Sequence, residues 1–163
     1  MFSSELLPIY LNDHLAGSTF GRDLARRAAG ANRDTELGGF LAELASQIEA
    51  DRALLKDVMA RLDVSEDTIK VSAGWLAEKF GRLKLNGRLT EYSPLSRVLE
   101  LEGLALGVRG KLSLWRTLAA AAPDEPRIVD VDFVHLIERA EAQLAGIDAH
   151  HARAAELMLA ERA

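Results

Sequence analysis

Turn-forming and helix-breaking residues cluster in only three places in this chain: around Gly30 and Asn32, between Asp63 and Ser93, and around Pro123 and Pro126. Between these breaks Ala, Leu, Arg and Glu dominate, β-branched residues are sparse, and no segment sustains the alternation of a strand. The pattern predicts an all-α chain. The first helix is expected from about Glu5 to Ala29, with Pro8 tolerated in its opening turn, and the second from about Asp34 to Leu62. Ser65-Glu66-Asp67 is an acidic cap for a shorter helix ending near Phe80, and Asn86-Gly87 marks a turn in the irregular stretch that follows. Ser93-Pro94, a cap followed by proline at the first helical position, opens a helix to about Ala121. The last helix covers about Val131 to Leu159, capped by Asp130 or Asp132.

The links between the long helices are about four, about thirty and about nine residues, where two to eight is usual between bundle neighbours. Short links make two antiparallel hairpins. The long link suits a ferritin-like four-helix bundle with one long crossover containing a short helix; an up-down-up-down bundle is the alternative. Residues 1–163 are read as one domain.

Composition narrows the chemistry. The chain has no cysteine, so disulfides, thiolate nucleophiles and iron-sulfur clusters are excluded and a cytoplasmic setting is expected. Glu5 and Pro8 interrupt what a signal peptide would keep apolar, and no stretch approaches the ~18 apolar residues of a membrane span, so no membrane association is expected. The net charge of -5 speaks against nucleic acid as a partner. There is no phosphate loop and no informative Ser-His-Asp spacing.

A degenerate repeat relates the two hairpins. Pro8, Leu15, Gly17 and Gly21 share their spacing with Pro94, Leu101, Gly103 and Gly107, and Ile48 to Met59 parallels Ile147 to Met158. A duplicated hairpin would carry a glycine seam on its first helix, where a neighbouring backbone is expected to approach closely.

The segment Leu7 to Gly17, with the helix after it, resembles the opening hairpin of uncharacterised bacterial ferritin-like proteins. The resemblance implies a four-helix bundle, and for di-iron members a Glu on the first and third helices with Glu-x-x-His on the second and fourth. This chain departs from that set. Its second helix has no histidine and its fourth offers only Asp148-x-x-His151, so no competent di-iron centre is expected.

Polar residues nevertheless point inward. The second helix has an apolar stripe of Leu37, Leu44, Ile48, Leu55, Val58 and Leu62, and Asp51 lies within it. A carboxylate there must be paired or coordinated. Counting back from the turn near Asn32 sets His14 level with Ala50, so a His14–Asp51 pair is expected; the same count around Glu125 sets Glu100 level with His150. Two readings stay open. The pairs fix helix register, or His14, Asp51, Glu100, Asp148, His150 and His151 supply a mixed site for Zn, Mn or Fe.

The third helix is apolar nearly all round, from Leu99 to Leu118, and needs cover on several sides. The crossover helix, with Val71, Trp75, Leu76 and Phe80, is one cover; a second copy in a homodimer is the other. Glu102, Arg109 and Arg116 share one side of that helix, as a solvated or subunit-facing stripe or as an internal ion-pair ladder, and His135 is expected to be exposed. The expected function is that of a ferritin-like bundle acting through self-association or a protein partner, with a metal-dependent protein as the alternative; whether it is an enzyme stays open.

Overall fold

A computed structural model describes residues 5–67 and 92–160. Among these residues there are four long α-helices and no strand: α1 (Leu6–Ala31), α2 (Glu36–Arg61), α3 (Pro94–Ala121) and α4 (Phe133–Ala160), with a single 3-10 turn (Ala122–Asp124) after α3. The expected crossover helix with Val71, Trp75, Leu76 and Phe80, and the Asn86-Gly87 turn, lie outside the described residues. No described helix is long and apolar enough to cross a membrane.

Local chemistry accounts for the helix ends. Thr35 caps α2, its hydroxyl accepting the Gly38 N–H at 3.0 Å. Asp34, expected to open that helix, instead sits in the turn with φ of 63°. Ser93 caps α3 as expected, accepting from the Ser96 N–H at 3.2 Å, and Asp132 does the same for α4 by accepting from His135 N–H at 3.0 Å.

Side-chain contacts give the helix directions. Tyr10 and Arg27, near the two ends of α1, meet Thr117 and Glu100 near the end and start of α3, so α1 and α3 are antiparallel. Arg153 reaches Glu36, and Gln143 reaches Gln47, so α2 and α4 are antiparallel as well. α1 packs extensively on α2, and α3 on α4. The chain leaves α2 beside the start of α1, where Asn12 donates to the Ser65 carbonyl, and enters α3 beside the end of α1, where Asn32 donates to Tyr92. The link between them therefore joins opposite ends of the bundle, which the up-down-up-down alternative does not allow.

The core divides into two apolar clusters. One gathers Leu24, Leu41, Leu44, Leu101, Leu104 and Ile147; the other gathers Leu11, Leu55, Val58, Trp115, Leu118 and Leu136. On α2 the boundary between them falls between Ile48 and Leu55, around Asp51; on α3 it falls around Lys111 and Leu112. On α1 it spans the stretch from Leu15 to Leu24, which holds Gly17, Ser18 and Gly21.

The glycines differ in what surrounds them. A Cβ at Gly38 would lie 2.1 Å from the Asn32 carbonyl oxygen, which is fixed by hydrogen bonds from the Thr35 N–H and hydroxyl. A Cβ at Gly17, Gly21 or Gly107 would meet nothing within 4 Å. Among the described residues the expected close backbone approach at the glycine seam is thus not found at these three positions. Gly38→Ala is expected to destabilise the fold by about 1–3 kcal/mol, whereas Gly17→Ala should stabilise it by about 0.5–1 kcal/mol through helix propensity. Urea denaturation of both variants checks this, and shifts of the same sign would contradict it.

Candidate functional site: a buried ion cluster beneath a cleft

Asp51 is 3% exposed, in the middle of the bundle. Its Oδ2 accepts from Lys111 Nζ of α3 at 2.5 Å, and its Oδ1 accepts from Arg139 Nη2 of α4. The Lys111 ammonium also donates to Gln143 Oε1 at 2.5 Å, and Gln143 Nε2 donates to Gln47 Oε1 at 2.8 Å. Helical spacing builds this layer, because Gln47 and Asp51 lie one turn apart on α2 and face Gln143 and Arg139, one turn apart on the antiparallel α4. Burial pushes the Lys111 amine below the ordinary lysine range; the Asp51 carboxylate opposes that shift and the Arg139 charge adds to it.

Above this layer opens a cleft of about 600 Å³ between α1, α2 and α3. α1 lines it with His14, Gly17, Ser18, Phe20 and Gly21, and at Gly17, Ser18 and Gly21 little side chain enters the space. Leu55, Leu104, Val108, Leu114 and Trp115 make apolar walls, Lys111 and Asp51 reach its surface, and Asp13, His14, Ser18, Arg52 and Glu102 add polar lining. Arg52 is held by Thr19 and Glu49.

The residues expected to form site pairs are placed otherwise. His14 is half-buried in the cleft wall with its ring edge-on to Tyr10 at 4.6 Å, and burial holds its imidazole below the ordinary histidine range against the pull of Asp13. Asp51 does not take His14 as its partner: two cations from across the bundle hold it. Glu100 is buried as a helix-facing carboxylate, but it accepts from Tyr92 Oη at 2.9 Å and from Arg27 at 3.2 Å rather than from His150. His150 packs on the Phe40 ring at 4.6 Å, His151 lies 3.2 Å from Glu102, and Asp148 is exposed. Among the described residues no group of three or more His, Asp and Glu side chains is arranged to hold a metal ion. Glu102, Arg109 and Arg116 are exposed, with Arg116 paired to Glu141 on α4 at 2.6 Å, so this stripe is an outer face and not an internal ladder.

A second polar cluster ties the far end together. Asn32, 3% exposed, donates to Ala28 O and Tyr92 Oη and accepts from Arg97 Nε. Partial burial, reinforced by the Glu100 charge and opposed by the Asn32 hydrogen bond, pushes the Tyr92 phenol up to about 12. Folding thus favours the protonated phenol, and this contribution is complete below the unfolded value of 10.0 and is lost as pH rises through about 12. Spectrophotometric titration should find one phenol ionising near pH 12, absent in Tyr92→Phe; a titration with no ionisation in that range would contradict the placement.

Compared with family models, curated proteins and solved structures, the chain matches none, so its function is read from the geometry of the ion cluster and the cleft above it.

Proposed function

We propose that this is a cytoplasmic, ferritin-like bundle without a competent di-iron centre, and that it works as a binding protein whose cleft between α1, α2 and α3 takes a small, largely apolar molecule. The antiparallel α1–α3 and α2–α4 neighbours, together with a link joining opposite ends, support the ferritin-like reading. The middle of the bundle, where di-iron members carry carboxylates and histidines, is filled in this chain by Asp51, Lys111, Arg139 and two glutamines.

The cleft itself carries the proposal. Its volume of about 600 Å³ lies within the ~300–1,000 Å³ of small-molecule sites, and its lining is apolar around a few placed polar groups, as such sites require. Leu106, 63% exposed at the outer lip, favours a second reading, self-association or a protein partner covering the same face.

Titration with N-phenyl-1-naphthylamine, a neutral dye that fluoresces in apolar surroundings, tests the first reading. Saturable binding at one site per chain is expected, lost in Gly17→Leu and kept in Gly30→Leu, since both positions have room for a side chain but only Gly17 lines the cleft. Binding that persists in Gly17→Leu would contradict the proposal. Dye excluded progressively as protein concentration rises would transfer the cleft to the second reading.

A further inference from the structure

The ion cluster below the cleft has an imbalance. Among the described residues one buried carboxylate, Asp51, faces two cations, Lys111 and Arg139; Gln143 and Gln47 are neutral, and the network runs out to the exposed Glu43, which accepts from Gln47 Nε2 at 2.9 Å. Donors outnumber acceptors in the same way. An ammonium has three N–H groups, and Lys111 places two of them, on Asp51 and Gln143. Arg139 Nε is buried without an acceptor among the described residues. Among the described residues the buried part of the layer is therefore short of one negative charge and of acceptor atoms, and of its two cations Lys111 is the one that lines the cleft; the cleft's other cation, Arg52, is already held by Thr19 and Glu49.

The apolar lining continues from this point. Along α3 it runs from Lys111 back to Leu99, about 18 Å of helix at 1.5 Å per residue, past Val108, Leu104 and the open face of Gly107. Apart from Asp51, which already pairs with Lys111 and with Arg139, the acidic residues of the lining stand away from Lys111 or out in solvent. Glu102 is at the opposite end of that run, beside His151, and Asp13 is exposed.

Resting on the binding reading above, we infer that the cleft's ligand is an elongated amphipathic carboxylate, its carboxylate accepting from Lys111 and its hydrocarbon chain lying along α3 toward Leu99. A charge-assisted hydrogen bond in a desolvated site discriminates strongly between a carboxylate and a neutral hydroxyl of the same length. Electroneutrality of the layer adds to the preference.

Calorimetric titration with dodecanoate and with dodecanol, both below their aggregation limits, separates the two levels of the claim. The parent protein should bind dodecanoate at least about tenfold more tightly than dodecanol, the ratio expected for one hydrogen bond to a charged group. Lys111→Met should bring the two affinities together, and Gly17→Leu should remove both. Equal affinity for acid and alcohol in the parent would overturn the carboxylate assignment while leaving the apolar cleft intact. Binding of neither would overturn both. The comparison within the parent protein decides the matter even if Lys111→Met does not fold.

Discussion

The pairing of Asp51 with Lys111 and Arg139 is the interaction on which the bundle's register depends. Three helices contribute to it, and each would strand a buried charge if it slid by a turn along its neighbours. Apolar layers tolerate such slippage far better, because leucine against leucine is non-directional. Placing the one specific contact between two apolar clusters fixes both at once. The Asn32–Tyr92–Glu100 group performs a similar duty at one end, joining the end of α1 to the start of α3 through groups that must meet in one geometry.

The cleft follows from the same layer. α2, α3 and α4 fill the middle of the bundle with long polar side chains, whereas α1 brings Gly17, Ser18 and Gly21 to that level. Two apolar clusters held apart by a polar layer, with glycines and a serine on one wall, leave among the described residues a space whose floor is charged and whose sides are apolar; where α1 carries Leu24 or Leu11 those side chains join the core clusters instead.

Much of this was legible in the sequence, and the misses have physical causes. Helix positions followed from breakers and caps, and the inward face of Asp51 followed from Leu44 and Val58 seven residues to either side. The same spacing places Lys111 between Leu104 and Leu118, so the sequence carries a signal for an inward cation on α3 as well. Counting across a hairpin can only nominate residues of the neighbouring helix in sequence; the partners of Asp51 lie 60 and 88 residues away, on helices brought alongside by tertiary packing. Glycine spacing, likewise, reveals where side chains are missing and not whether backbone or open space takes their place.

A double-mutant cycle on Asp51 and Lys111, read by urea denaturation, tests the central claim most directly. Asp51→Ala alone should cost about 3–5 kcal/mol, because it leaves two cations facing each other without their carboxylate, and the combined Asp51→Ala and Lys111→Met replacement should cost less than the sum of the Asp51→Ala and Lys111→Met single changes. An Asp51→Ala protein as stable as the parent, with no coupling to position 111, would contradict the account.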